Sequence, residues 1–146
     1  MKIVYASDLH LEFGALDARM PDGDFLILGG DVTLLQVFDR EMDAYYAPKG
    51  KVLRERTEAF LDQCRESFER VFYLIGNHEG YGYNLSRVPK IIRAKLKGVE
   101  LLENRAVDLG DGVILAGCTL WTDMNKGMDA WQVGRGMNDF CGAIMV

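Results

Sequence analysis

Histidine, cysteine and proline are scarce in this chain of 146 residues, which has two, three and three of them. No apolar run approaches the ~18 residues that a membrane span needs, so the sequence excludes a transmembrane helix and a membrane partner. Cys64, Cys118 and Cys141 are far apart and form no C-x-x-C pair. This spacing argues against a disulfide framework and a thiolate zinc site and indicates a reducing compartment, so we expect a cytoplasmic protein.

Basic residues are also too few for a protein that binds nucleic acid through its charge. The chain has 17 Lys and Arg against 22 Asp and Glu, a formal charge of −5. Binding to a phosphate backbone needs a basic surface, so nucleic acid is not the expected partner and nuclease action ranks third among our interpretations. With 49% hydrophobic and 27% charged residues, the composition is that of a globular chain, which we treat as one domain over residues 1–146.

Short apolar runs alternate with helical patterns, which predicts an α/β fold. The first three runs are apolar on both faces, as is typical of strands inside a covered sheet: Lys2–Ala6, Phe25–Leu28 and Val71–Ile75. Further strands are predicted at Val99–Leu102, Ala106–Leu109 and Val113–Cys118. Asp111-Gly112 between the last two indicates a hairpin turn.

Two helices are predicted between these strands. Apolar positions from Leu53 to Phe68 recur at three- and four-residue steps, and Glu66 and Arg70 are spaced for an ion pair on that helix. A second helix is expected to begin at Ser86 as its cap and to end before Gly98.

Two segments carry little periodicity. We interpret Gln36–Gly50 as an irregular excursion over the surface. Gly127–Val146 is predicted to be a loop with a short final strand.

Polar clusters follow each of the first three predicted strands: Asp8-Leu9-His10, Gly29-Gly30-Asp31 and Gly76-Asn77-His78-Glu79. If these strands are parallel neighbours, the clusters meet beyond the carboxyl ends of the strands, where α/β sheets bind ligands. Carboxylate, imidazole and amide groups suit a divalent ion such as Mn²⁺, Fe²⁺ or Zn²⁺.

The spacing within the clusters indicates how such ions would be held. Asp8 and His10 are two residues apart and can chelate one ion. Asp31 has two oxygens and can bridge to a second ion, for which Asn77 offers a neutral oxygen. His78 points differently and is left free of metal.

Each cluster taken singly is more typical of a turn or a helix cap. Both histidines of the chain fall inside the clusters, and this favours the functional interpretation. Glu12 either orients His10 or is simply an exposed glutamate.

In this order, D-L-H, G-G-D and G-N-H-E resemble the signature of the calcineurin-like metallophosphoesterases. The segments Gly117–Asp123 and Met137–Phe140 are similar to a bacterial or phage-type branch of that family. The resemblance implies a four-layer αββα sandwich, hydrolysis of a phosphomonoester or phosphodiester by a metal-activated water, and two divalent ions, with Mn²⁺ first and Fe²⁺, Zn²⁺ or Mg²⁺ as alternatives. It also implies that Asp8, His10 and Asp31 ligate the first ion, Asp31 and Asn77 the second, and that His78 acts on the leaving oxygen; no substrate-binding residue is assigned.

The chain departs from the family signature after His78, because no later histidine supplies the further His and the G-H-x-H segment of the family. We therefore expect the N-terminal part of the sandwich, mostly one sheet with flanking helices, in a domain incomplete at its C-terminus. We expect the first ion to bind weakly and the second scarcely at all, and the exposed sheet to favour self-association. The alternative to an enzyme is a catalytically impaired or inactive remnant of the fold.

Overall fold

The computed structural model describes residues 1–16, 19–38, 49–121 and 123–140. Its centre is a parallel sheet in the order β1-β2-β3-β4. The strands of that sheet are β1 (Ile3–Ala6), β2 (Phe25–Leu28), β3 (Arg70–Tyr73) and β4 (Glu100–Leu101). The predicted α/β fold, and the strands expected in this part of the chain, are confirmed.

The first three strands end at the same level of the sheet. Ala6 pairs with Leu28, and Leu28 pairs with Tyr73, so the segments that follow all leave from one edge. Most residues of β2 and β3 are buried, as expected for strands covered on both faces. Strand β1 is at the side of the sheet, and its Tyr5 is 82% exposed, so the prediction of coverage on both faces is wrong for this strand.

Helix α1 (Lys49–Ser67) packs on the sheet, as its apolar periodicity predicts. Leu53, Phe60, Leu61 and Cys64 are buried in the core that also contains residues of β1, β2 and β3. The predicted ion pair between Glu66 and Arg70 is wrong because the helix ends before Arg70, which lies on β3 and pairs with Glu100 instead.

Helix α2 (Val88–Lys95) follows a 3₁₀ turn over Leu85–Arg87. Ser86 is not its cap. The side chain of Asn84 accepts the backbone N–H of Ser86 at 3.0 Å and thereby caps the 3₁₀ turn, so the helical path begins one turn before α2.

Strands β5 (Arg105–Gly110) and β6 (Val113–Gly117) form the predicted antiparallel hairpin. Asp111 and Gly112 turn the chain with φ of 51° and 77°, as a tight hairpin requires. Val107 and Leu109 of β5 pack with Phe25, Phe72 and Leu102 in a second core on the other side of the sheet.

The predicted loop near the C-terminus contains a short helix, α3 (Ala130–Gly136), followed by a 3₁₀ turn over Asn138–Phe140. None of the residues of α3 is buried, so no apolar periodicity marked this helix in the sequence. The final strand expected within Cys141–Val146 lies outside the described residues.

The irregular surface excursion predicted over Gln36–Gly50 is wrong at both ends of that range. Gln36 belongs to a buried 3₁₀ turn over Leu35–Phe38, and Gly50 belongs to α1. Residues 39–48 lie outside the described ranges. Among the helices in those ranges, none has the length and apolar composition of a membrane span.

Candidate metal centre

The segments after β1 and β2 run side by side beyond the end of the sheet. The backbone N–H of Asp8 donates to the carbonyl of Gly30 at 3.0 Å, and that of His10 donates to the carbonyl of Asp31 at 2.9 Å. A further bond joins Leu11 N–H to the carbonyl of Val32 at 2.9 Å. The parallel pairing thus continues into the loops and brings the first two polar clusters together, as the sequence predicts.

Three residues of these clusters have left-handed backbone conformations that residues other than glycine seldom adopt. The φ angles are 55° for Asp8, 46° for His10 and 52° for Asp31. Each such residue costs about 1–3 kcal/mol and persists only where its surroundings enforce it, most often at functional sites. The cross-loop hydrogen bonds supply that enforcement here.

Glycine is required where the third cluster meets Asp31. A Cβ atom at Gly76 would collide with the Oδ1 atom of Asp31, and one at Gly30 would lie 2.6 Å from the backbone nitrogen of Gly76. The absence of both side chains allows the loops after β2 and β3 to approach closely. As a result, the backbone N–H of His78 donates to Asp31 Oδ1 at 2.8 Å.

The buried side chain of Glu79 links the loops after β2 and β3. Its fully buried carboxylate accepts the backbone N–H groups of Asp31 and Val32 at 2.9 Å, that of Gly76 at 2.8 Å, and the phenol of Tyr73 at 2.6 Å. Burial raises the pKa of Glu79, while these hydrogen bonds act in the opposite direction. No role for Glu79 was predicted from the sequence, because its contacts with Asp31 and Val32 join it to a loop 48 and 47 residues away.

His10, Asp31 and His78 form the group best placed to hold a metal ion among the described residues. One potential ligand atom from each lies within 4.8 Å of the others. The two imidazole rings are 4.4 Å apart and meet edge to face at 71°. Two imidazoles and one carboxylate are the donor set of borderline divalent ions, so these side chains fit a metal such as Mn²⁺, Fe²⁺ or Zn²⁺.

Glu12 contacts both histidines through one carboxylate oxygen. Its Oε1 atom is 3.0 Å from His10 Nδ1 and 2.6 Å from His78 Nδ1, and its side chain is 8% exposed. The alternative of a simply exposed glutamate at position 12 is therefore wrong. Burial acts to lower the pKa of His10, but the hydrogen bond and the charge of Glu12 raise it above its ordinary value of 6.5.

Asp8 and Asn77 line a cavity of about 290 Å³ next to the three clustered side chains. Asp31 lines the same cavity and thus belongs to both groups, while Thr119 and Trp121 form part of the opposite wall. All five residues predicted as ligands or catalyst therefore lie at one edge of the sheet. The group of three includes His78, which the sequence analysis left free of metal, and not Asp8, which is exposed.

Asp139 is a further residue of this site, and the sequence predicted no role for it. Its Oδ1 atom accepts the amide N–H of Asn77 at 2.8 Å across 62 residues. Because a carboxylate only accepts, the amide nitrogen of Asn77 faces Asp139 and its oxygen remains as the donor atom for a metal. Tyr81 stacks on His78 at 4.4 Å, and burial together with a hydrogen bond to Asp139 raises the pKa of its phenol.

Comparison with known proteins gives one family and one solved structure. The family described as calcineurin-like phosphoesterase matches residues 1–127. The structure of phosphopantetheinyl hydrolase from Mycobacterium tuberculosis is similar at 22% sequence identity and a TM-score of 0.43. That likeness covers 73% of this chain and 36% of the other, so the chain spans little more than a third of the length of that protein. No curated protein matched the sequence.

Proposed function

Because this chain belongs to the calcineurin-like phosphoesterase family, we propose that it is a metal-dependent hydrolase of a phosphomonoester or phosphodiester. The observation that carries this proposal is the meeting of His10, Asp31 and His78 beside a cavity lined by Asp8 and Asn77. Carboxylate, imidazole and amide donors around one cavity are the ligands that a site for divalent ions requires.

The donors divide naturally into two sets that share Asp31. Asp8, His10 and Asp31 are the proposed ligands of a first ion, and Asp31 and Asn77 those of a second. When bound, the ions, with Mn²⁺ as the first candidate and Fe²⁺, Zn²⁺ or Mg²⁺ as alternatives, would supply Lewis acidity toward a phosphate oxygen and would lower the pKa of a water. Asp31 is fit for the shared position because it lies both in the group of three and in the cavity wall.

His78 is the proposed catalytic residue, acting on the oxygen of the leaving alcohol as a general acid. Its backbone N–H is fixed by Asp31 Oδ1 at 2.8 Å, and its ring lies between Tyr81 and His10. A side chain held in this way loses little further entropy when substrate binds, and general acid catalysis is typically worth about 10²–10⁴-fold.

The experiment is hydrolysis of 4-nitrophenyl phosphate and bis(4-nitrophenyl) phosphate with added Mn²⁺. Release of 4-nitrophenol that Asp31→Asn and His78→Ala both abolish supports the proposal, and Asp111→Asn in the exposed hairpin turn is the matched control. Activity that survives in both site variants would refute it. Equal and background rates in all four proteins would favour the inactive remnant.

Metal binding is measured separately by equilibrium dialysis of the same proteins against Mn²⁺. The proposal includes weak binding at the first set of ligands and scarcely any at the second, because an amide and a shared carboxylate are few ligands for a dehydrated cation. Two tightly bound ions per chain would contradict this part. We further propose that the protein is cytoplasmic, that its substrate is a phosphate ester, and that it self-associates through the exposed part of the sheet.

A further inference from the structure

We propose that Glu12 is a positioning residue that couples the two histidines of the site, fixing the metal-binding nitrogen of His10 and the proton-donating nitrogen of His78 through one carboxylate oxygen. The inference rests on the proposed function of His78 and assigns a role to a residue outside the family signature described above. Its basis is the juxtaposition of three side chains from two loops.

The local backbone explains how Glu12 reaches both rings. The N–H of Phe13 donates to the carbonyl of His10 at 2.9 Å, which closes a tight turn over residues 10–13. Leu11 is fully buried and its N–H is bonded to Val32, so the turn is anchored against the loop after β2. The Glu12 side chain is thereby held next to His10, and the approach of the third loop places His78 on the same oxygen.

The chemistry of a carboxylate determines which nitrogen of each ring carries hydrogen. An ionised carboxylate only accepts, so the Nδ1 atoms at 3.0 Å and 2.6 Å from Oε1 must both be donors. In a neutral ring the other nitrogen, Nε2, then carries the lone pair. For His10 this is the form that ligates a metal, and metal-binding histidines are commonly held in this way by a carboxylate.

For His78 the same contact occupies Nδ1, so Nε2 is the nitrogen that exchanges a proton with the leaving oxygen. During hydrolysis a water oxygen bonds to phosphorus, the bond from phosphorus to the alcohol oxygen breaks, and that oxygen keeps the electron pair and takes the Nε2 proton. The proton lost by the attacking water then returns to Nε2, and the Nδ1–H keeps its hydrogen bond to Glu12 before and after the transfer.

The buried environment makes this contact strong. The Glu12 side chain is 8% exposed, and its Oε2 atom has no hydrogen-bond partner among the described residues. Among the described residues, the carboxylate therefore accepts hydrogen bonds only from the two rings, and only through Oε1. A buried carboxylate with one unpartnered oxygen is costly to maintain, which is understandable if its orientation serves the site.

The test begins with the metal-free full chain labelled with ¹⁵N-histidine, at alkaline pH. Because the chain has two histidines, its long-range ¹H–¹⁵N spectrum contains two sets of ring signals. We expect both rings in the Nδ1–H form in the wild type, a mixture of forms in Glu12→Ala, and recovery of the Nδ1–H form in Glu12→Gln, which keeps an acceptor oxygen. Ring signals in Glu12→Ala that match the wild type would overturn the inference.

The second measurement compares phenyl phosphate, whose leaving group needs a proton, with 2,4-dinitrophenyl phosphate, whose leaving group does not. At saturating Mn²⁺, Glu12→Ala should lower kcat on phenyl phosphate by about 10–100-fold more than kcat on the dinitrophenyl ester, because any loss that comes from His10 is common to both esters. Glu12→Gln, which keeps the acceptor oxygen, should lose less, and Glu66→Gln on the exposed face of α1 is the control. Equal losses on both esters would refute the coupling to His78. No hydrolysis by the wild type, together with the expected ring signals, would refute the proposed function and leave the orientation of the rings established.

Discussion

Glu79 accepts the backbone N–H of Asp31 at 2.9 Å, although the two residues are 48 positions apart. The contact links the loop after β3 to the proposed shared metal ligand on the loop after β2. Because Asp31 has a φ of 52°, its conformation has to be maintained by such external bonds. The buried carboxylate is thus part of the reason why Asp31 faces the site.

The first prediction follows from this contact. Glu79→Gln replaces one acceptor oxygen by an NH₂ group that faces buried N–H donors, and each buried group left without a partner costs about 1–3 kcal/mol. We expect the free energy of unfolding, measured by urea titration, to fall by at least about 2 kcal/mol. Its dependence on urea concentration should not change. Glu66→Gln should stay within about 0.5 kcal/mol of the wild type, and an equally small effect of Glu79→Gln would contradict this account.

The second prediction concerns Asp139, which orients the amide of Asn77. Asp139→Ala frees that amide to turn, so we expect a loss of about 10–100-fold in activity, the usual range for residues that orient a ligand. Hydrolysis of bis(4-nitrophenyl) phosphate with Mn²⁺ in excess measures the rate. Asp111→Asn is the control, and an unchanged rate in Asp139→Ala would show that Asn77 needs no such support.

The third prediction is a pH dependence at the pair that joins β3 to β4. Arg70 donates to both oxygens of Glu100 at 2.6 and 2.8 Å, and this hydrogen bonding lowers the pKa of Glu100 from 4.5. A lowered folded-state pKa means that the stabilisation is fully present above about pH 4.5 and is lost as the pH falls through the folded-state value.

Glu100→Gln measures this contribution because glutamine does not titrate. Since both side chains are about one-third exposed, we expect the wild type to be more stable by no more than about 1 kcal/mol at neutral pH. The difference should shrink when unfolding is measured at successively lower pH. A difference that grows on acidification would have the wrong sign for this mechanism.

The fourth prediction addresses self-association at β1. Tyr5 is 82% exposed on β1, the edge strand of the parallel sheet. An exposed edge strand with apolar side chains can pair with a strand of another molecule. Sedimentation velocity over a range of concentrations should show association that Tyr5→Lys weakens. Val52→Lys, at an exposed position of α1, should leave it unchanged; a wild type that sediments as a monomer throughout would contradict the expectation.

The strands of the parallel sheet and the polar clusters that follow them were predictable from the sequence. Apolar runs such as Phe25–Leu28 mark strands because their side chains must be buried on both faces, and the structure has this strand at those residues. The clusters around His10, Asp31 and His78 follow directly after such strands, and parallel pairing brings them to one edge. The prediction failed where no apolar face exists, as in the exposed helix Ala130–Gly136.

The sequence by itself determined the α/β pattern and which chemical groups gather at the ends of the strands, because hydrophobic periodicity and glycine placement are local properties. Only the tertiary structure decided how those groups are held. The contacts of Glu12 with His78, Glu79 with Asp31 and Asp139 with Asn77 join residues 66, 48 and 62 positions apart. Such hydrogen bonds depend on how loops pack against each other over distances of an ångström, and no local pattern of residues encodes that packing.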